Sequence, residues 1–383
     1  MYQTKITEKE AGQRFDKYLH RILPNAGSSF LYKMLRKKNI TLNDRKADGS
    51  EKIAVDDSVK IYFAEETLLK FRGLADTSVS EHTLHAEGPE KQPQNITDDY
   101  LAAYHKISSV RILYENRHIL LADKPAGVLS QKAKPTDRSL NEWLIGYLLD
   151  SGFMTEQELT MYKPSVCNRL DRNTSGIVLC AKSLQGAQIL GELLKNRTLH
   201  KYYQTYVRGV IKKEQLVEGY LHKYEKHNKV SVTLNVSQQT ADKDMKNRLS
   251  DQAETSYIRT SYKPLKVEKD KTLLEVELIT GKPHQIRAHL ASVGHPLLGD
   301  YKYGDKAWNE EYRKKYHVKS QLLHAYKVVF PPLAEPFADI SGRTFYSGLP
   351  DIFYEVSEEH RHGDMEFTRT ERFDTGRFNK PNE

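Results

Sequence analysis

The first sixty residues alternate between two spacings of hydrophobic positions. Apolar residues recur at helical intervals over residues 14–22 and 28–38, and then alternate with polar residues at 40–43 and 59–62, as in short strands. This pattern predicts a small α/β module at residues 1–65. A solvated face and a phosphate-binding surface are about equally good explanations for the basic stripe of its second helix. That stripe consists of Lys33, Arg36, Lys37 and Lys38, of which the last three are the predicted RNA-binding residues.

Helical and strand periodicity are both lost after the module. Residues 76–98 are rich in Ser, Thr, Glu, Gln, Pro and His, so they bury too little apolar surface to order themselves. We predict a flexible linker at 66–108. Apolar runs such as 177–181 then return, interleaved with helical and alternating patterns. We therefore predict a larger domain at 109–335 and a charged C-terminal extension at 336–383.

The charge balance favours a polyanionic partner. The 383 residues carry a formal net charge of +8, and 23 tyrosines among the basic residues suit the stacking of nucleic-acid bases. The pI is about 9.0 and the mean hydropathy is −0.68. Ordinary surface lysines and tyrosines would give the same composition, so these values alone do not locate a binding surface.

Cysteine content and apolar runs bear on the compartment. Cys167 and Cys180 are the only cysteines, and two thiols provide neither a disulfide framework nor a metal-binding motif. The chain lacks a signal-peptide pattern and any apolar run approaching the ~18–20 residues of a membrane span. We therefore expect a cytoplasmic protein with no membrane partner.

One loop presents a carboxylate directly before a buried strand. Asp171 lies between Arg169 and Arg172, and the turn-forming Thr-Ser-Gly at 174–176 leads into the apolar run at 177–181. Flanking cations favour the ionised form of a carboxyl, which a nucleophile or a general base needs. On spacing alone, a solvated Arg–Asp–Arg ion pair is the more common explanation.

The sequence around this carboxylate changes that balance. Asn-Arg-Leu-Asp-Arg-Asn-Thr-Ser-Gly at 168–176 resembles the catalytic loop of the RluA-type pseudouridine synthases, in which a single aspartate acts on a uridine of structured RNA. The Asp-Lys-Pro-x-Gly at 123–127 and the motif from Thr280 to Gly304 are similar to further motifs of that family. The resemblance covers residues 110–332, and residues 14–63 resemble a small RNA-binding module that usually precedes this catalytic domain.

The resemblance implies a fold and a set of site residues. The fold is α+β, with a mixed, largely antiparallel sheet in the catalytic domain and a small α/β RNA-binding module before it. Asp171 would be the catalytic residue, Arg287 would pair with it, and Tyr203 would assist proton removal or pack against the base. Tyr203 matches the Lys-x-Tyr motif of the family, which begins here at Lys201. Without the resemblance, Tyr203 would be interpreted as an ordinary cross-strand aromatic, and strand alternation places Tyr202 on the opposite face. The implied substrate-binding residues are Asn168, Arg169, Arg172, Thr174, His284, Gln285 and Ile286.

The sequence departs from the family pattern at two places. Asn168 stands where the family often has His, and we expect this to affect hydrogen bonding within the loop and not the chemistry. Lys282 and Pro283 replace the more usual Arg-Thr. Pro283 is also predicted to be the first residue of a helix that ends near Gly294.

Metal and cofactor sites are not expected. His284, His289 and His295 lie five and six residues apart, a spacing that does not place them on one helical face, and no carboxylate completes a ligand set. Isomerisation of uridine needs no external group, so the implied reaction needs no cofactor. We expect a monomer that acts on structured RNA.

Several functional alternatives remain open. Ribosomal RNA of the large subunit is the preferred substrate, because the RNA-binding module usually accompanies family members of that kind, and tRNA is the second choice. A non-catalytic RNA-binding or ribosome-assembly protein would need only the basic module, with Asp171 in a structural role. A hydrolase that uses Asp171 with a histidine or a metal is the third possibility.

Overall fold

A computed structural model describes residues 1–7, 10–72, 96–224, 229–234 and 254–357 of the chain. The helices are α1 (Phe15–Ile22), α2 (Ser28–Arg36), α3 (Glu65–Arg72), α4 (Ile96–Lys106), α5 (Leu140–Asp150), α6 (Glu156–Met161), α7 (Leu184–Asn196), α8 (Gln285–Ser292), α9 (Lys306–Tyr316) and α10 (Ile352–Glu355). The strands are β1 (Tyr2–Lys5), β2 (Ile40–Leu42), β3 (Arg45–Lys46), β4 (Ser58–Ile61), β5 (Arg111–Glu115), β6 (Ile119–Lys124), β7 (Ser165–Val166), β8 (Ser175–Ala181), β9 (His200–Arg208), β10 (Gln215–Tyr224), β11 (Lys229–Leu234), β12 (Glu254–Val267), β13 (Lys271–Leu278), β14 (Leu323–Val329) and β15 (Thr344–Tyr346).

The N-terminal module is a four-stranded sheet with two helices packed on it. The sheet has the order β1–β4–β2–β3, and its neighbouring strands pair antiparallel. Helix α1 buries the apolar side that its spacing predicts, with Phe15 and Leu19 fully enclosed, and α2 buries Leu31 and Leu35. The polar side of α2 therefore faces solvent, together with the basic residues that follow it.

The larger domain is built on one sheet of eleven strands. Nine strands follow one another in the order β11–β10–β12–β13–β9–β14–β8–β6–β5, and β15 and β7 pair with β14 and β8. Neighbouring strands pair antiparallel except β14 and β8, which are parallel. The predicted mixed, largely antiparallel α+β fold is confirmed.

Strands β6 and β8 are neighbours in the sheet of the larger domain and are buried along their whole lengths. Alternate residues point to opposite faces of a strand, so one face of each packs with α5 and the other with α7. Leu120 and Val178 belong to the core that contains Trp143 of α5, while Leu121 packs with Leu190 of α7. Burial on both faces explains why these strands are continuous apolar runs in the sequence.

The linker predicted at 66–108 is too long. Residues 65–72 and 96–106 are helical, and only 73–95 lie outside the described residues. In α4, Tyr100 and Ala103 are buried because the helix packs against α5. Helix α4 has little apolar periodicity of its own, so tertiary packing orders a segment that composition assigned to the linker.

The C-terminal extension predicted to begin at residue 336 is also corrected. Strand β15 pairs with β14, and Phe337, Ile340 and Phe345 are buried beside the α7 face of β6 and β8. Phe353 of α10 packs against Tyr206 of β9. The catalytic domain therefore continues to residue 357. The basic residues of the predicted tail lie outside the described residues; they are Arg361, Arg369, Arg372 and Arg377.

The module contacts the catalytic domain directly. Arg21 of α1 donates a hydrogen bond to the carbonyl of Met161 at 3.0 Å, and Gln188 of α7 donates to the carbonyl of Gly12, also at 3.0 Å. Met161 packs against the apolar core of the module. Among the described residues, none of the helices is long and apolar enough to cross a membrane.

Candidate active site

The loop between β7 and β8 is anchored at both of its sides. Asn168 accepts a hydrogen bond from the backbone of Leu179 at 2.7 Å, so this side chain shapes the loop, as expected for the position that differs from the family. Ser130 exchanges hydrogen bonds with the backbone N–H and C=O of Leu170 at 2.9 Å each. A backbone held on both sides gives the next residue, Asp171, a defined position.

Glycine is required where the loop enters β8. Gly176 has a φ of +108°, which other residues rarely adopt, and a Cβ at this position would lie 2.2 Å from the carbonyl oxygen of Ala325 on β14. The close approach allows β14 to pair in parallel with the start of β8. The loop that carries Asp171 thus enters the sheet at the one parallel pair described.

Arg287 binds Asp171 and a second carboxylate at the same time. Its Nη1 donates to Oδ2 of Asp171 at 2.8 Å, while Nε and Nη2 donate to the two oxygens of Asp300 at 2.7 and 2.9 Å. Burial acts to lower the pKa of Arg287, but the two carboxylates outweigh it and the pKa is raised. Burial likewise opposes the effect of Arg287 on Asp300, whose pKa is nevertheless lowered. This geometry leaves Oδ1 of Asp171 free of Arg287.

Helix α8 begins two residues later than its sequence predicts, at Gln285. Pro283 precedes the helix, and His284 occupies the N-cap position with a φ of 55°, in the left-handed region. The prediction of Pro283 as the first helical residue is therefore wrong, because the next residue has a left-handed backbone conformation that a right-handed helix cannot contain. His284 consequently faces the carboxylate, and its Nε2 lies 3.9 Å from Oδ1 of Asp171.

Tyr203 lies on the buried face of β9 and lines the same pocket as Asp171 and Arg287. Burial, and then the charge of Asp171, raise the pKa of Tyr203, so its hydroxyl stays protonated near neutral pH. Tyr202 points to the opposite face of the sheet, where the Lys327 ammonium lies 3.9 Å from its ring centre. Strand alternation correctly separated the two tyrosines in the sequence.

Asp171 opens onto a strongly basic cavity of about 640 Å³. Among the described residues, Asp171 is the only acidic residue that lines it. The cationic lining residues are Lys132, Arg169, Arg172, Arg197, Lys201 and Lys282. Lys201 is largely enclosed, and burial lowers its pKa. A concave surface with this charge balance attracts a polyanion and holds its phosphates around one carboxylate.

Comparison with known proteins assigns the chain to a family. A family model described as RNA pseudouridylate synthase matches residues 118–292. Ribosomal large subunit pseudouridine synthase C of Pasteurella multocida is 28% identical over 327 residues, which are 85% of this chain and 84% of the relative. An uncharacterized RNA pseudouridine synthase of Mycoplasma genitalium is 27% identical over 329 residues, 86% of this chain and 88% of the relative. This chain belongs to the RluA-type RNA pseudouridine synthases.

The resemblance read from the catalytic loop is therefore confirmed, and the protein is an isomerase of RNA. The segment matched by the family model contains Asp171, Tyr203 and Arg287. A solved structure of Human RNA Pseudouridylate Synthase Domain Containing 4 aligns with 67% of this chain and 94% of that chain, at 19% identity and a TM-score of 0.48.

The other predicted binding residues of this synthase fall into three groups. Thr174, Gln285 and Ile286 line the inner pocket beside Arg287, while Arg169 and Arg172 line the wider cavity. The Gln285 amide is engaged inside the protein, since it donates to the Arg259 carbonyl at 2.9 Å and accepts from Thr280 at 2.9 Å. Three basic residues lie on the N-terminal module and do not line the cavity, namely Arg36, Lys37 and Lys38.

Lys124 is a residue of the site that sequence reasoning missed. It is fully buried behind the catalytic loop, and its Nζ donates to the carbonyls of Pro125, Val128 and Arg172 at 3.1, 2.7 and 3.1 Å. Burial lowers the pKa of Lys124 to about 7, although the charges of Asp171 and Asp123 act in the opposite direction. The signal in the sequence was a lysine that ends an apolar strand, directly before a Pro-x-Gly turn.

Four lysines and arginines of the cavity were also missed. Arg197 follows α7 as its C-cap, and Lys132 lies in the loop before α5, so neither falls in a family motif. Lys201 and Lys282 were noted as parts of motifs but not as site residues. The fold alone brings these distant segments together. None of the described residues form a group of three or more His, Cys, Asp or Glu side chains able to hold a metal ion.

Proposed function

We propose that this synthase isomerises specific uridines of large-subunit ribosomal RNA, with Asp171 as the residue that starts the reaction. The observation that carries the proposal is the carboxylate held by Arg287 at the inner end of a basic cavity. The substrate follows from relatives named ribosomal large subunit pseudouridine synthase C and D, which are 28% and 24% identical to this chain.

The basic cavity supports base flipping. A uridine within folded RNA hides its glycosidic bond in the base stack, so the nucleotide must leave the stack, at a cost of a few kcal/mol. Phosphate contacts from residues such as Arg169, Lys201 and Lys282 supply free energy for that step because they bind the backbone on either side of the target. The extruded uridine then meets Asp171 and Tyr203 in the inner pocket.

The chemistry exchanges one bond for another. The bond between C1′ and N1 of uracil breaks, the base rotates within the pocket, and C1′ joins C5. Oδ1 of Asp171 starts the cleavage by attacking C1′ or by removing a neighbouring proton of the sugar. C5 then loses its proton and N1 gains one, so no redox partner or external group takes part. Tyr203 is placed to assist transfer of the C5 proton or to pack against the ring.

Arg287 holds Asp171 in a fixed orientation in this scheme. Its guanidinium is fixed by Asp300, so only Nη1 is directed at the carboxylate. A preorganised donor of this kind needs no rearrangement when the substrate arrives. The monomeric state, the cytoplasmic location and the absence of a metal requirement stay predictions, and tRNA is the second candidate substrate.

The test is a comparison of cellular RNA from a strain that lacks the protein with RNA from complemented strains. Pseudouridines are mapped by carbodiimide-dependent stops of reverse transcription. We expect ribosomal sites to disappear on deletion and to return with the wild type and with Asp351→Asn, which alters an exposed carboxylate outside the cavity. Asp171→Asn, which has nearly the same shape, should not restore them.

Each alternative gives a different result. Sites that are unchanged by deletion would favour the RNA-binding or ribosome-assembly role. If deletion removes pseudouridines only from tRNA, the proposed activity stands and the substrate is tRNA. If Asp171→Asn restores the lost pseudouridines, Asp171 takes no part in the chemistry. A metal-dependent hydrolase would release free base and lose activity with a chelator, which purified protein and an RNA transcript would reveal.

A further inference from the structure

His284 holds an unfavourable backbone conformation beside the catalytic carboxylate. Its φ of 55° lies in the left-handed region, which costs free energy for a residue with a side chain. Its ring packs edge-on to Tyr303, with the ring centres 5.6 Å apart. Conformations of this kind cluster at functional sites, where the side chain has a task that glycine cannot perform.

The hydrogen bonds around His284 determine which ring nitrogen carries the proton. The backbone N–H of Val230 donates to the hydroxyl oxygen of Tyr303 at 3.2 Å, and that hydroxyl lies 2.8 Å from Nδ1 of His284. The Tyr303 proton is therefore available to Nδ1. The ammonium of Lys302 lies 3.4 Å from the same nitrogen and can only donate. Nδ1 is consequently the acceptor, and the proton of the neutral ring is on Nε2.

The Nε2–H group faces the oxygen of Asp171 that Arg287 leaves free. Nε2 is 3.9 Å from Oδ1, whereas Arg287 binds Oδ2 at 2.8 Å. The 3.9 Å separation is longer than a hydrogen bond, but catalytic hydrogen bonds are often long without substrate and shorten in the complex. Each oxygen of Asp171 thus faces one N–H group, from the N-cap of α8 and from its first turn.

The surroundings keep the His284 ring neutral. Burial, the largest effect, lowers its pKa, and Arg287 and Lys302 act in the same direction. Asp171 and Asp300 act the opposite way and do not prevail. A neutral ring is needed for the hydrogen-bond pattern, because an imidazolium would direct a second N–H at the Tyr303 hydroxyl and the Lys302 ammonium.

We propose that His284 is a positioning residue for Asp171, held by Tyr303 as the Nε2–H tautomer so that it donates to Oδ1 in the RNA-bound enzyme. Arg287 and His284 together fix the plane of the carboxylate, which neither donor fixes alone. The role rests on the proposed function of Asp171 as the reacting group. It assigns Tyr303 a task as well, since its hydroxyl selects the tautomer.

The tautomer can be measured without RNA. Full-length protein with ¹⁵N-labelled histidine rings gives long-range ¹H–¹⁵N correlations that distinguish the two neutral tautomers from the imidazolium. The set of ring correlations that is absent from the spectrum of His284→Gln identifies the resonances of His284. We expect the Nε2–H tautomer near pH 7.5, and a shifted Nδ1 resonance in Tyr303→Phe. An Nδ1–H tautomer or an imidazolium in the wild type would overturn the proposal.

Two substitutions then test the role in the reaction. His284→Gln keeps an N–H near the position of Nε2, whereas the shorter side chain of His284→Asn tolerates the left-handed backbone but does not reach it. In single-turnover assays on a ribosomal RNA fragment, we expect Asn to lower the rate constant roughly ten- to a hundredfold and Gln to retain most of it. RNA affinity and the unfolding midpoint should change little in both variants.

The outcomes separate this proposal from the proposed function. Equal rates for the Gln and Asn variants, or a loss that appears only in RNA affinity, would contradict a positioning role. If the wild type is inactive on every RNA, or if Asp171→Asn is active, the proposed function fails. The tautomer measurement still decides the hydrogen-bond pattern in that case, because it depends on neither substrate nor turnover.

Discussion

Lysine cannot replace arginine at position 287 without a loss of geometry. The planar guanidinium binds both oxygens of Asp300 and still directs Nη1 at Asp171. A lysine ammonium at this position would be a single point of charge on a flexible stem, without the fork that matches a carboxylate. The direction of the positive charge, as well as its presence, is therefore set by Asp300.

We accordingly expect Arg287→Lys to lower the single-turnover rate constant by roughly ten- to a hundredfold, with little change in RNA affinity. The charge is kept, but Asp171 loses a donor of fixed direction. The matched control is Arg313→Lys, which makes the same change in an exposed pair with Glu310 on α9. Equal rates for the two variants would mean that the charge of Arg287 alone suffices.

His289 should make the protein sensitive to acid. Burial lowers the pKa of His289 to about 4, below its ordinary value of 6.5. Between these values the unfolded chain binds a proton that the native protein does not, so the free energy of unfolding falls as the pH drops from about 6.5 towards 4. The contribution is on the order of 2 to 3 kcal/mol, is fully present above pH 6.5, and should be absent in His289→Leu.

Urea unfolding at pH 7 and at pH 4.5 measures this effect. The drop in unfolding free energy between the two pH values should be smaller in His289→Leu than in the wild type. His105→Leu serves as the control, because it makes the same replacement at an exposed histidine of α4. A drop of equal size in all three proteins would show that other groups cause the acid sensitivity.

The elements differ in how far the sequence could predict them. Strands β6 and β8 are buried on both faces, so each is a continuous apolar run, and the Tyr203 face of β9 followed from alternation alone. Helix α4 and strand β15 were missed because their order comes from contacts with α5 and β14. A local sequence pattern carries no information about a packing partner that is distant in the chain.

The same limit applies to the site. The loop around Asp171 and the motif with Arg287 could be recognised because their residues are adjacent in the sequence. The left-handed backbone at His284 was not predicted, since Pro283 suggested an ordinary helix start. Sequence alone could not identify Lys201 or the buried Lys124 as residues of the site. They become so only because the fold brings separate strands to one pocket.

Helix α4 should depend on a glycine of its partner helix. A Cβ at Gly146 of α5 would lie 2.1 Å from the carbonyl oxygen of Tyr100 in α4. We expect Gly146→Ala to lower the free energy of unfolding by about 1 to 3 kcal/mol, because such overpacking forces the helices apart. Hydrogen exchange of the α4 amides should accelerate in the same variant.

Gly191 of α7 provides the matched control for that experiment. It is also a helical glycine, but a Cβ there would meet nothing within 4 Å. Alanine is the better helix former by about 1 kcal/mol, so Gly191→Ala should stabilise the protein slightly and leave exchange in α4 unchanged. Similar stability changes in both variants would show that helix propensity, and not the contact with Tyr100, decides the outcome.

The contact between the two domains changes what the N-terminal module can do. A module held only by a linker would search a volume set by the linker length. The hydrogen bonds from Arg21 to Met161 and from Gln188 to Gly12 instead place it against α6 and α7. The basic residues at the end of α2 are therefore held at a defined position relative to Asp171, as expected of a second contact point for the same RNA.

We expect these basic residues to bind phosphates. Replacing them by glutamine should weaken RNA binding and make its dependence on salt less steep, because fewer counterions are released from the RNA. Each lost phosphate contact reduces the slope of log K against log salt by about 1, so the triple variant should reduce it by roughly two to three. The variant combines Arg36→Gln, Lys37→Gln and Lys38→Gln.

A change in net charge alone must be separated from the loss of these contacts. Three exposed lysines of α9 do not line the cavity, and their replacement by glutamine removes the same charge from another surface; they are Lys306, Lys314 and Lys315. Fluorescence-anisotropy titrations at several salt concentrations should give this control a slope close to the wild type. Equal slopes for both triple variants would show that the α2 residues act only through the overall field, because specific phosphate contacts would lower one slope and not the other.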